Sequence, residues 1–428
     1  MSLDIEYINK GNILYIAGKL GIKHDIINNE QKYFNRHKNE INVLCINRNR
    51  NIIATGEDYN ENDKNIYSIR IWDANLLEEK GNINISFPIK ALCFNFDDKY
   101  LICCCSDEKH KVILIDVEKK EILNEVSGSN KKIVGLAFKS NNEFATVGIN
   151  HFKYWIINEN KLIFKEYKNN LENFDDKIGV IGVSNEFFVT GSFLGFITLW
   201  DEQIIKKNGR FHNSQIDSLY SDNKLIISGA RDKTIAILDK ELTLLKKIDL
   251  YKVIDPQMCI NCSPKSLDIF EYNEVKNIKK ILIGTYSGEI LELIFNNNII
   301  EYSDIKFEIY NSTHFCENSS ESIDITSINY SRKTNIFVTT GKDRTIRFWD
   351  LMAKRQNKLI KLYDDSNPTS SAFSYNEDIF VVGFDSGKIQ FFSGIDFSLI
   401  EEMNERNNQI NVIKCSKNGL IACATKDG

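Results

Sequence analysis

Three kinds of residue in this chain could carry chemistry by type and spacing. The first is a thiol pair: Cys259-Ile260-Asn261-Cys262 is the sole C-x-x-C. That spacing suits two ligands of a structural zinc ion or a redox dithiol. Zinc asks for four ligands, and no second pair or histidine pair follows; Cys316 and His314 are the sequence neighbours of suitable type. No helix follows to depress a thiol pKa, so the redox use is weak too. The expectation is no metal and no cofactor.

The second kind is a set of His, hydroxyl, carboxylate and indole groups. His37, Thr55 and Trp72 stand in one frame, and His212, Ser228 and Asp232 in another, where Leu238 occupies the Trp position. Asp343 and Trp349 mark a third, which lacks the His. These residues read as buried hydrogen-bond networks that stiffen a sheet, not as catalysts, because no spare nucleophile accompanies them. His24, His110 and His151 are isolated and form no H-x-x-x-H pattern. There is no G-x-x-x-x-G-K-[ST] phosphate loop and no G-x-S-x-G nucleophile elbow. An enzyme is not expected.

The third kind is cationic. Arg36-His37-Lys38, Arg48 with Arg50, Lys131-Lys132, Lys206-Lys207 with Arg210, and Lys354-Arg355 with Lys358 form small clusters. Solvated turn surface explains most such clusters. The functional alternative is a patch for an acidic protein partner with salt-sensitive binding. Its candidates are Arg36, Lys38, Lys206, Lys207, Arg210, Lys354 and Arg355.

Composition narrows the class. The 428 residues are 42% hydrophobic and 26% charged, with a formal net charge of -5. That slightly acidic balance argues against a nucleic-acid binder, which normally shows a strongly basic domain. Ordinary apolar content with Phe 26 and Tyr 17 argues against disorder, and Pro 4 against a Pro-rich linker. No apolar run approaches the roughly 18 residues a membrane helix needs. Of the 10 Cys, Cys45, Cys93, Cys415 and Cys423 each lie inside an apolar strand-like run, and Cys103-Cys104-Cys105 occur in succession. Neighbouring strand residues point to opposite faces, so such a run suits buried reduced thiols better than planned disulfides. Met1 to Lys10 has no apolar signal core. The expected setting is cytoplasmic and reducing.

The elements that must position these residues come from a repeat. Short runs rich in Ile, Val, Phe and Thr alternate with polar turns, and a strand ending in Trp-Asp or its relic recurs. Ile69-Arg70-Ile71-Trp72-Asp73, Phe196 to Asp201 and Thr345 to Asp350 are the clear copies. Lys111 to Asp116, Phe152 to Trp155, Thr234 to Asp239 and Lys388 to Phe392 are weaker ones. Their spacing of roughly 40–45 residues, stretched to about 55 on either side of residues 285–295, fits four-stranded propeller blades. A single blade cannot bury both faces, so blades must stack radially. Gly56, Gly148, Gly191, Gly229, Gly284, Gly341 and Gly383 follow the second strand, where backbones approach closely. The fold class is all-β, a β-propeller.

About eight complete blades are expected. Ile13 to Phe34 reads as the last three strands of a blade whose first strand is missing, and Ile410 to Gly428 as the first two strands of another. One reading places a ring of about seven blades in residues 1–312 and the start of a second, truncated propeller in residues 313–428, with Ser312 to Ser322 as the junction. The other is a single larger ring whose two ends share a blade. The first is preferred, because rings of nine are rare. Either way the chain reads as part of a longer protein.

These residues bear a family resemblance. Ile13 to Gly18, then Gln31-Lys32-Tyr33-Phe34, His37 and Ile53-Ala54-Thr55-Gly56 before Ile69 to Asp73, resemble the echinoderm microtubule-associated protein-like family of WD-repeat proteins. So do His151 to Trp155, Thr190-Gly191 with Gly195-Phe196-Ile197, and Ile281 to Thr285. The resemblance implies tandem propellers, a cytoskeletal location and binding to tubulin or microtubules. The coiled coil and hydrophobic motif that precede such propellers are not visible here. The alternative function is a general propeller adaptor, for ciliary assembly or as a ubiquitin-ligase substrate receptor.

Overall fold

The computed structural model describes residues 4–59, 66–164, 177–184, 186–254, 259, 261–273, 278–296, 305–312, 314, 324–362, 365–404 and 408–425. Nine four-stranded sheets and a two-stranded hairpin account for these residues almost entirely. Sheets 1 to 9 span residues 5–34, 41–85, 89–126, 133–164, 178–210, 216–249, 264–311, 325–361 and 368–403. The hairpin joins Ile410–Cys415 to Ile421–Thr425. Among the described residues the sole α-helix, Leu250–Val253, is far too short to cross a membrane.

Within each sheet the four strands lie in chain order. The reason is local: tight turns join runs rich in β-branched residues, and antiparallel neighbours need only such turns. Second and third strands are apolar on both faces, as in Tyr100–Cys105, where every residue is buried. Fourth strands are mostly exposed, as in Ile204–Arg210. The core therefore lies between successive sheets. Trp72 and Ile53 of sheet 2 pack with Leu14 and Ile16 of sheet 1, and Ile69 and Ile71 with Leu101 and Ile113 of sheet 3. Trp155 packs with Ile102 and Leu114 of sheet 3, and Phe348 of sheet 8 with Phe380 and Phe392 of sheet 9. A sheet with two apolar faces needs a neighbour on each side, which makes the stack obligatory.

Close approach between sheets is visible at the second-strand glycines. A Cβ on Gly56 would fall 2.5 Å from Cγ2 of Ile89, the first residue of sheet 3. One on Gly383 would fall 2.6 Å from Cγ2 of Ile410.

The chain divides into two compact units. One comprises Met1–Val253, Ser263–Tyr286 and Leu291–Glu308; the other Ile254–Cys262, Ser287–Ile290 and Ile309–Gly428. In the first unit, first strands of seven sheets line one cavity of about 350 Å³. Sheet 1 contributes Ile5, sheet 7 contributes Leu267, and the five sheets between contribute one segment each.

The N-terminal expectation needs correcting. Sheet 1 is complete, because Ile5–Asn9 pairs with Asn12–Ala17 and supplies the first strand. This strand is fastened on its other side to sheet 7. The Tyr7 backbone N–H donates to Asp268 Oδ2 at 2.7 Å, and the Tyr7 hydroxyl donates to Glu292 Oε1 at 2.5 Å. Arg50 of sheet 2 donates to the Tyr7 carbonyl at 2.5 Å and grips both Asp268 oxygens at 2.6 and 2.9 Å. Sheets 7, 1 and 2 thus meet at one buried polar knot. Eight four-stranded sheets lie between sheet 1 and the hairpin, in line with the repeat count. Most of the expected junction, residues 313 and 315–322, lies outside the described residues.

Candidate functional site

The Trp-Asp strands carry a recurring four-group relay. In sheet 2 the Trp72 indole donates to Thr55 Oγ1 at 3.0 Å, His37 Nε2 lies 2.7 Å from that hydroxyl, and His37 Nδ1 lies 3.0 Å from Glu57 Oε1. The acid is Glu57, two residues after the Thr on the same strand, and not a turn Asp. Glu57 also accepts from the backbone N–H groups of Lys38 and Ser68. Burial opposes its charge, but the His37 hydrogen bond and those N–H donors hold the carboxyl below its ordinary range.

Sheet 6 uses His212, which lies 2.7 Å from Ser228 Oγ and 3.3 Å from Asp232 Oδ1. Leu238 fills the indole position, buried against Ile226 and Ala236. Sheet 8 differs from expectation. His314 completes it, with Nδ1 2.8 Å from Asp343 and Nε2 2.8 Å from Thr339, while the Trp349 indole donates to Thr339 at 2.8 Å. It was hidden because it sits 25 residues before its Thr, farther than the 18 that separate His37 from Thr55. His151 is not isolated either. It reaches Thr146 Oγ1 at 2.9 Å, and the Trp155 indole donates to the same oxygen at 2.9 Å. Here the His is the first residue of the third strand, His151–Asn158. Burial, with Lys153 and His110 nearby, pulls its pKa down from 6.5 to about 4, so it is neutral at physiological pH. In sheet 5 Trp200 donates to Thr190 at 2.7 Å. All these groups face inward between sheets, where they fix geometry.

The cysteine pair lies in the second unit. Cys259 and Cys262 are both buried. The Cys259 thiol stands 3.3 Å from Glu289 Oε2, and burial plus that carboxylate push its pKa far up. Such a thiol is a poor nucleophile and a poor ligand. Arg347, fully buried, donates to Gln356 at 2.8 Å and lies 3.6 Å from Asp343 and 3.9 Å from Glu289. Among the described residues no group of three or more His, Cys, Asp or Glu is placed to hold a metal.

The lining of the first unit's cavity includes the charged residues Asp4, Glu6, Lys90, Asp217 and Lys265. Arg231 and the Tyr286 hydroxyl both donate to Asp217, at 2.7 and 2.9 Å, and burial with Asp217 pushes Tyr286 to about 12. Burial and Asp268 raise the Glu6 carboxyl well above its usual range. These groups neutralise one another across strands; nothing among them is aligned as nucleophile and base.

The basic candidates are all exposed. Arg36 and Lys38 flank His37 in the turn between sheets 1 and 2, Lys206, Lys207 and Arg210 lie on the outer strand of sheet 5, and Lys354 and Arg355 open the outer strand of sheet 8. They are carried by separate sheets. Lys206 lies 3.2 Å from Asp201, and Lys207 donates to the Glu241 carbonyl at 2.5 Å.

Comparison with known proteins assigns this architecture. Residues 30–293 match the family model for the first β-propeller of echinoderm microtubule-associated protein, and residues 311–350 match the WD domain G-beta repeat. The 77 kDa echinoderm microtubule-associated protein of Strongylocentrotus purpuratus is 20% identical over 97% of this chain and 59% of its own length. Echinoderm microtubule-associated protein-like 1 of Homo sapiens is 20% identical over 97% of this chain and 50% of its own. The ciliary WD repeat-containing protein ctxp80 of Euplotoides octocarinatus is 21% identical over 84% of this chain and 48% of its own. The chain thus spans about half to three fifths of these relatives. With more than half its residues in the family model, an all-β stack of four-stranded sheets and Trp-Asp relays, the chain belongs to the echinoderm microtubule-associated protein family of WD-repeat propellers.

Proposed function

We propose that this chain is a non-enzymatic scaffold whose propeller surface docks tubulin or microtubules in the cytoplasmic cytoskeleton. Residues 1–312 form the first propeller and residues 313–428 begin a second. The observation that carries the reading is the family match over residues 30–293, in a family whose members are named for microtubule association. The site chemistry supports it: the His–hydroxyl–indole networks face inward, Cys259 and Cys262 are buried, and Arg36, Lys38, Lys206, Lys207, Arg210, Lys354 and Arg355 are exposed. Docking to an acidic lattice by dispersed cations is screened by salt, over a Debye length of about 10 Å at 0.1 M. Co-sedimentation with microtubules across a salt series tests it. Pelleting at low salt that fades as salt rises is expected; absence of pelleting at the lowest salt refutes it.

A second reading, an adaptor in ciliary assembly, is favoured by the ciliary relative. Affinity purification separates the two: ciliary subunits recovered without tubulin would favour the adaptor.

A further inference from the structure

Outer strands leave a row of unpaired backbone groups, and most proteins guard them with charge. Here the guarding charges come in two complementary versions. The outer strand of sheet 6 begins Leu244-Leu245-Lys246-Lys247, and that of sheet 9 begins Leu399-Ile400-Glu401-Glu402. Register aligns the two position by position. Leu244 lies opposite Leu238 and Lys246 opposite Ile237, with Leu245 the extra residue of a bulge. Leu399 lies opposite Phe392 and Glu401 opposite Phe391, with Ile400 the extra residue. Sheet 5 repeats the basic version as Ile204-Ile205-Lys206-Lys207, shifted by one position.

The apolar pairs are not a demand of the fold. The same bulge in sheets 2 and 8 holds Glu79-Lys80 and Gln356-Asn357. Yet Ile204, Ile205, Leu244, Leu245, Leu399 and Ile400 are each 43% to 58% exposed. The ionic groups are partly preset: Glu402 accepts from Gln390 at 2.7 Å and from Asn404 at 3.1 Å, and Lys207 is tied to the Glu241 carbonyl.

We propose that the acidic outer edge of sheet 9 docks on the basic outer edge of sheets 5 and 6 in a second copy of this chain. Apolar pairs pack on one another, and Lys against Glu decides which edges meet, since two basic or two acidic edges repel. The occupant is a second copy because the complementary edge is written in the same sequence at the same bulge. The pairs that select the edges are solvent-exposed Lys–Glu contacts, which are individually weak and screened by salt, so association is weak and salt-sensitive.

Sedimentation velocity of the whole chain over a concentration series tests this. At about 50 mM salt the weight-average mass rises with concentration, and at about 500 mM it returns to that of a single chain. The variant Lys206→Glu, Lys207→Glu, Lys246→Glu and the variant Glu401→Lys, Glu402→Lys each sediment as single chains. Mixed in equal amounts, they associate again, because one now carries Glu at positions 206, 207 and 246 and the other Lys at 401 and 402. Circular dichroism verifies folding, and Glu401→Gln, which keeps side-chain shape, weakens association about tenfold even if a reversal variant fails to fold (about 1.4 kcal/mol). A wild-type chain that stays single at every concentration in low salt overturns the proposal. So does a mixture of folded reversal variants that fails to associate.

Discussion

Arg50 and Asp268 lie 218 residues apart in sequence, yet the guanidinium of one holds both carboxylate oxygens of the other. Burial works against the Arg50 charge, but Asp268 outweighs it and keeps the arginine charged. The Asp268 side chain is only 3% exposed, so it cannot turn to water if its partner is lost.

Arg50→Met therefore leaves the buried Asp268 carboxylate without its cation, held by the Tyr7 N–H alone, and the Tyr7 carbonyl without the guanidinium. A loss of about 3–5 kcal/mol in unfolding free energy is expected, from urea denaturation followed by tryptophan fluorescence. The double variant Arg50→Met, Asp268→Leu recovers a large part of it, because the uncompensated charge has gone. Equal instability of single and double variants would show that the ion pair is not what fastens these sheets.

Thr55 serves two donors and acceptors at once, so Thr55→Val strands the Trp72 indole N–H and the His37 ring together. The cost is about 2–4 kcal/mol, judged from about 1–3 kcal/mol per orphaned buried group. Thr55→Ser retains the hydroxyl and loses less than half as much. A thermal melt that ranks Ser below Val contradicts the relay.

His151 makes stability depend on acidity. Its folded-state pKa, near 4, lies below its ordinary 6.5. Between those values the unfolded chain takes up a proton that the folded chain refuses. Stability is therefore full above about pH 6.5, declines as pH falls, and levels off below about 4, for a total of at most about 3 kcal/mol. His151→Gln flattens this slope. A slope unchanged in the variant would assign the effect to another group.

Gly56→Ala puts a methyl group against Ile89. Adding a methylene to a filled contact costs about 1–3 kcal/mol. Gly56→Ala with Ile89→Ala removes the Cγ2 contact but leaves the residue-89 Cβ 2.8 Å from the new methyl, so the double variant recovers only part of the loss and stays below wild type in a thermal melt.

The docking reading makes its own demand. Arg36→Ala with Lys354→Ala and Arg355→Ala lowers the fraction pelleted with microtubules and shallows its salt dependence, while the melting temperature stays within a degree or two of wild type. Unchanged pelleting by the triple variant would move the contact elsewhere on the surface.

The repeat was legible because its strands are apolar on both faces and punctuated by glycine, a pattern that survives loss of the Trp, as at Leu238. The first strand was not legible. Asp4 and Glu6 interrupt a short run, and the reason emerges only in three dimensions: both line the cavity, alternating with buried Ile5 and Tyr7. Glu57 escaped notice because an acid inside a strand looks like solvent-facing alternation until His37 folds over it. His151 and His314 lay outside the spacing set by His37 and His212, since a relay needs only that its groups converge in space. The basic residues were found as runs, but runs along a chain say little about neighbours on a surface built from separate sheets.

Cys103, Cys104 and Cys105 are fully enclosed, and burial lifts the first two thiols well above their ordinary pKa. Alkylating reagents and peroxide will find them inert for as long as sheet 3 stays shut. Once it opens, three adjacent thiols become reactive together, and peroxide, itself reduced to water, can oxidise two of them to a disulfide that the closed sheet does not accommodate. Transient opening of that one sheet thus exposes the chain to thiol modification, and the rate of labelling is a direct clock for it.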